Sequence, residues 1–362
     1  MKHKRQMVLV MTALTALTCF ACRSTRVSPY TGETLAEESG FIEQSPEEDP
    51  NGIYDTLEDL GPSHDKIRIG FSAGGLDSEF LLDVAESLRA CFHNGNGYEM
   101  VILDAHMEQD QQIKDIRRLI EAAVDYLIIL PLPDCDWTVP LAQAGEADIP
   151  VLFIGDVPDG IDEEDYLSAV TGDAQSESQL AVSWLHSHVE TDDMVRIACV
   201  NMDEMAPGGK QRIDAFMETA QKESSWQTEY LLLDGKTDSE IKAALDEWLE
   251  DDGMDSKHVI VCANGTTGEY ITDALENLDY DGTAPLILTF ESTRTMLERI
   301  RQDRLSAAVE SCTDYGNTVD EIIQSHSYGM ALQKNYLLTP ERVYDETGDL
   351  ERILEERVYT NP

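Results

Sequence analysis

Tyr126-Leu127-Ile128-Ile129-Leu130-Pro131 is an unbroken apolar run closed by a proline, free of charge and too short for a helix. Such a run reads as a strand buried on both faces, the kind found inside parallel sheets. Moving outward, residues 100–104 and 67–72 carry the same short apolar signature. Between them the spacing changes to that of amphipathic helices. Phe80, Leu81, Val84, Leu88 and Phe92 share one face, and Ile113, Ile116, Leu119, Ile120 and Ala123 share another. Downstream lie a helix around residues 139–147 and a strand at 150–154. Buried strands alternating with amphipathic helices imply a parallel sheet covered on both faces.

A second set of the same kind follows. Residues 195–200 read as a strand, and Ile213, Phe216, Met217 and Ala220 as the apolar face of the next helix. A strand at 230–233 precedes a helix carrying Ile241, Leu245, Trp248 and Leu249, and strands at 259–263, 286–289 and 305–309 complete the series. The expected fold class is therefore α/β, with two doubly wound parallel-sheet lobes. Ligands of open sheets bind beyond the carboxyl ends of the strands, so the residues just after each strand are the site candidates.

The chain has 362 residues, enough for two medium domains. Its 71 acidic and 26 basic residues give a net charge of −45, a surface that repels nucleic acid and anionic lipid. The basic start (Lys2, His3, Lys4, Arg5), the apolar run at 7–17 and the closing Ala21-Cys22 read as a secretory signal over residues 1–22. A small residue followed by Cys at that point resembles the lipobox of bacterial lipoproteins, which implies lipidation of Cys22 and work outside the cytoplasm. Residues 23–65, rich in Glu, Asp, Pro, Gly and Ser, read as an acidic disordered tether. With Cys19 and Cys22 set aside, five of the seven cysteines remain, an odd number without CxxC or zinc spacing. Cys199 and Cys262 sit in strand-like runs and read as buried small hydrophobes. His186 and His188, two apart on a helix, make a poor metal pair; no metal or cofactor is expected.

Gly70-Phe71-Ser72 with Gly75, Asp77, Ser78 and Phe80 resembles the opening of the periplasmic sugar-binding proteins related to galactofuranose binders. Asp104-Ala105, Gln111-Gln112, the 124–131 segment, and Trp137 ahead of Ile149-Pro150-Val151 resemble that family's first lobe. The stretch 170–173, Arg212 before Phe216, Asn264 after its strand, and Val309-Glu310 continue the register. The resemblance implies the type I periplasmic binding protein fold, two lobes joined by three crossings near Gly172, Ser311 and Thr339. One lobe would comprise residues 66–172 with 312–338, the other 173–311 with 339–362.

It also implies a set of ligand contacts. Arg212 matches the family's hydroxyl-binding arginine, or else pairs with a surface acid as an ordinary helix residue. Asn264 matches the family's asparagine, although Asn264-Gly265 also suits a tight turn. Glu291 takes the place of the family's Asp, and Glu310 matches an acid of the galactofuranose-like branch. Ser72, Asp77 and Ser78 lie at the first loop, where Asp77 and Ser78 fit helix capping equally well. Trp137 fits either a sugar-stacking face or loop packing. Gly155-Asp156 stands where the family has Asp-Arg, so the inferred cleft holds Asp77, Asp156, Glu291 and Glu310 against Arg212 alone. Such a cleft favours a ligand that supplies donors or positive charge: an amino sugar, another amine or a donor-rich polyol.

The expected function is that of a lipid-anchored, monomeric solute receptor on the outer face of the membrane. It would capture a sugar or sugar-like small molecule by lobe closure and deliver it to an ABC permease, without catalysis. A sensory lipoprotein that signals ligand state to a membrane receptor or kinase is the alternative.

Overall fold

In the computed structural model, which describes residues 53–57, 60, 65–133, 135–190, 193–203, 208–250, 256–276, 278 and 283–357, strand and helix alternate along the chain as the periodicity predicts. β1 (Ile53–Tyr54) and β2 (Ile67–Ala73) precede α1 (Glu79–Cys91). β3 (Tyr98–Asp104), α2 (Gln109–Glu121), β4 (Tyr126–Leu130), α3 (Thr138–Glu146), β5 (Val151–Ile154) and β6 (Ser168–Gly172) follow. These strands form a parallel sheet in the order β1-β3-β2-β4-β5-β6. Ile69 and Phe71 of β2 pack with Val84 and Leu88 of α1 on one face. Leu127 and Ile129 of β4 pack with Ile116 and Leu119 of α2 on the other. The two-sided apolar character of the 126–130 run is thereby explained.

The second series is α4 (Ala174–His188), β7 (Val195–Asn201), α5 (Gly209–Ala220), β8 (Trp226–Leu232), α6 (Asp238–Glu250), β9 (Lys257–Cys262), α7 (Gly265–Glu276), β10 (Leu286–Phe290), α8 (Arg294–Arg301) and β11 (Ala307–Val309). The chain then returns to the first lobe, where α9 (Tyr315–Ser327) packs along α1 and β12 (Asn335–Leu338) pairs with β6. It leaves once more to form β13 (Val343–Asp345), antiparallel to β11, and α10 (Leu350–Glu356). The second sheet has the order β13-β11-β10-β9-β7-β8. The chain therefore passes between the sheets three times, after β6, after β11 and after β12, and the expected two-lobed α/β architecture is present.

Some elements differ from the periodicity. β8 begins at Trp226 rather than at residue 230, because its early positions alternate buried and exposed, as on a sheet edge. β12, β13 and α10 are short and carry little periodic signal. Ile53–Tyr54 pairs in parallel with β3, and Leu57 and Leu60 pack against the first lobe's core, so part of the stretch whose composition reads as a tether belongs to the first lobe. The rest of that stretch, and the signal with Cys22, lie outside the described residues. Among the described residues Cys91, Cys199, Cys262 and Cys312 form no disulfide, and Cys199 and Cys262 are buried. No helix among the described residues is long and apolar enough to cross a membrane.

Candidate functional site

Each sheet reverses its strand order beside a central strand, at β2/β4 in one lobe and β7/β9 in the other. Loops diverge at such a point and leave a crevice beyond the strand ends. A cleft lies there, and both lobes line it. The first lobe supplies Phe80 and Leu81 from α1, Leu130 from the end of β4, Asp156 after β5, Thr171 at the end of β6 and Tyr315 from α9. The second supplies Glu177 from α4 with Gly208, Gln211 and Arg212 from the start of α5. Its free volume is about 40 Å³, room for about three waters. A sugar therefore enters only when the lobes part.

Arg212 is at the base of this cleft, and it is not free. Its Nε donates to Glu177 Oε2 at 2.9 Å and its Nη1 to Glu291 Oε1 at 2.7 Å. All three side chains are buried. Burial opposes the charge on Arg212, but the two carboxylates more than offset it and hold its pKa above the usual arginine value. Burial raises the Glu291 pKa, against the pull of Arg212 and of the Gly265 N–H, which donates to Glu291 Oε2 at 3.0 Å. Glu291 has φ of 70°, a left-handed backbone that costs a non-glycine residue about 1–3 kcal/mol. Its two side-chain bridges hold it there. The Phe80 ring covers the guanidinium from the opposite lobe, 5.3 Å from ring centroid to Cζ.

Two further contacts cross between the lobes. Asp156 of the first lobe faces Gln211 of the second and accepts from Thr171 Oγ1 at 3.4 Å; burial is the largest influence on Asp156 and raises its pKa. Glu79, at the start of α1, accepts from the Thr295 N–H in the first turn of α8 at 3.2 Å. Burial raises the Glu79 pKa as well.

Of the residues the sequence singles out, Asp156 and Arg212 line the cleft, and Glu291 grips Arg212 from behind. Others sit elsewhere. Ser72 is buried inside β2, its Oγ without a hydrogen-bond partner. Ser78 caps α1, accepting from the Leu81 N–H at 3.2 Å, and Asp77 is exposed beside it. Asn264 caps α7, accepting from the Thr267 N–H at 2.8 Å, and Gly265 opens that helix rather than forming a tight turn. Trp137 is a core residue rather than a rim residue, 4% exposed and edge-on to Phe153. Glu310 ties two of the passages between lobes together, accepting from Glu341 N–H at 2.7 Å and Tyr344 Oη at 3.1 Å. The four-carboxylate cleft expected from sequence is thus corrected: Asp77 and Glu310 are outside it, and Glu177 is inside. Glu177, Tyr315, Gln211 and Glu79 are the residues sequence reading missed. Each lies on a helix rather than directly after a strand, and Tyr315 arrives only through the second passage of the chain.

A family model described as a periplasmic binding protein domain matches residues 69–319. The galactofuranose-binding protein YtfQ of Escherichia coli (strain K12) is 30% identical over 126 residues, 34% of this chain and 38% of that protein. The chain thus matches little more than a third of that relative's length. The periplasmic binding protein component of the arabinose ABC transporter from Shewanella sp. ANA-3, bound to α- and β-L-arabinofuranose, superposes with a TM-score of 0.68 at 20% identity, over 81% of this chain and 100% of that one. An ABC transporter solute binding protein from Bacillus halodurans C-125 with bound myo-inositol gives 0.65 at 18% identity, over 82% and 100%. These likenesses establish the fold. With two doubly wound lobes, three passages between them and a cleft at both switch points, this chain belongs to the periplasmic binding protein family.

Proposed function

We propose that this protein is an extracytoplasmic solute receptor that captures a sugar or sugar-like small molecule between its lobes and delivers it to an ABC importer. The carrying observation is the cleft at the two switch points, where Asp156 meets Gln211 and Phe80 meets Arg212 across the lobe boundary. A ligand seated there touches both lobes and so binds the shut state better than the open one, which is what closure requires. The sugar and inositol ligands of the structural neighbours support the ligand class. The acids at the base of the cleft are engaged with Arg212, an arrangement for binding rather than for hydrolysis. In this reading lipid on Cys22 keeps the receptor near its permease, and the mass of the mature N-terminus reports it.

A thermal-shift screen across pentoses, hexoses, amino sugars and polyols tests the proposal. A ligand at 100 times its Kd adds about 2.7 kcal/mol, and one or more members of the panel should raise the melting temperature accordingly. Uniform silence across the panel would overturn the reading.

A further inference from the structure

Resting on that reading, we propose that the ligand carries one ammonium group, as an amino sugar or amino polyol does, and that Glu177 and Asp156 receive it. The first ground is an unmet acceptor. Glu177 is 1% exposed, its Oε2 is taken by Arg212, and its Oε1 has no hydrogen-bond partner. That oxygen lies beside the cleft-lining Gly172, on which a Cβ would be 3.7 Å from it. A buried carboxylate oxygen left without a donor is costly, so the position calls for a donor from outside the chain.

The second ground is charge. At the base of the cleft the single guanidinium faces Glu177 and Glu291, and Asp156 adds a third carboxylate across the lobe boundary. The guanidinium that would hold sugar hydroxyls is already occupied at Nε and Nη1. What the cleft lacks is positive charge to balance the third carboxylate, and an ammonium brings that with three donors and no acceptor. The third ground is the ring surface, because Tyr315 lines the cleft beside Phe80, whose ring already holds the Arg212 guanidinium, and aromatic faces attract cations.

Calorimetry on the intact protein distinguishes the outcomes. The titrants are glucosamine, galactosamine and glucamine, each beside its neutral hydroxyl counterpart, with the two N-acetyl hexosamines as forms that keep the nitrogen and lose the charge. At least one amine should bind ten-fold or more tightly than both of its neutral forms. Asp156→Asn, at a half-buried loop, should erase that preference, bringing the affinity ratio of amine to neutral form close to one. Glu177→Gln should do the same, and Asp156→Asn alone decides if the Glu177 variant does not fold. Equal or tighter binding of the neutral forms, with waters satisfying Glu177 in the complex, overturns this inference and leaves the proposed function standing. Silence of every amine and every neutral sugar overturns both.

Discussion

Arg212 lines the cleft with its Nε and Nη1 already engaged by two buried carboxylates. The position stood out in the sequence through the resemblance, as the match to the family's hydroxyl-binding arginine. Its partners did not, because Glu177 is one acid among 71 and nothing local distinguishes it. Only the passage after β6, which starts α4 beside α5, brings Glu177 to 2.9 Å. Buried ion pairs are expensive to form and more expensive to break, since the survivor is left charged and dry. Arg212→Ala strands Glu177 and Glu291 and is expected to lower unfolding free energy by about 3–5 kcal/mol, measured by urea denaturation. Arg212→Lys should rescue only part of this, because a point charge cannot reproduce the two-pronged geometry. A loss below about 1 kcal/mol for Arg212→Ala would show that the triad is not buried as described. Trp137 teaches the converse. An aromatic residue after a strand is equally compatible with a rim and a core, and only packing against Phe153 decides.

At the scale of elements, strong periodicity carried most of the fold. Strands buried on both faces, such as β4, β7 and β9, and helices with a clear apolar stripe, such as α1 and α2, were readable because burial imposes their pattern. The short pieces were not, since β12 and β13 draw their stability from pairing with β6 and β11 rather than from any pattern of their own. The joint between α1 and α9 was equally hidden. Gly316, in the first turn of α9, lies so close to α1 that a Cβ there would meet the Ser87 carbonyl oxygen at 2.1 Å. Backbone cannot rotate aside as a side chain can. Gly316→Ala should therefore cost about 3 kcal/mol, at the upper end of overpacking penalties, read as a lower urea midpoint. An unchanged midpoint would mean that the two helices have room to separate.

At the scale of the whole molecule, the lobes meet through acids as well as through the cleft. Glu269 on α7 is held at a pKa of about 7 by burial first, with Arg299 opposing and Glu79 from the other lobe and Asp273 adding to the rise. A carboxyl whose pKa is raised on folding binds its proton more readily in the native state. Its contribution to stability is present below about pH 4.5 and is lost as pH rises to about 7. Glu269→Gln should remove about 1–3 kcal/mol of that decline, measured as the difference in urea midpoints between pH 5 and pH 7.5 for variant and parent. Parallel pH profiles for the two proteins would show that Glu269 titrates as an exposed acid.

The same contacts imply a molecule that opens and shuts. In the arrangement described, Glu79 touches Thr295, Phe80 covers Arg212, and the cleft has room only for water. A solute must find the lobes apart and leave them together. Small-angle X-ray scattering of the protein, alone and saturated with a ligand whose binding calorimetry has established, tests this directly. The account predicts a smaller radius of gyration with ligand, reversed when the ligand is dialysed away; identical scattering in the two states would contradict it.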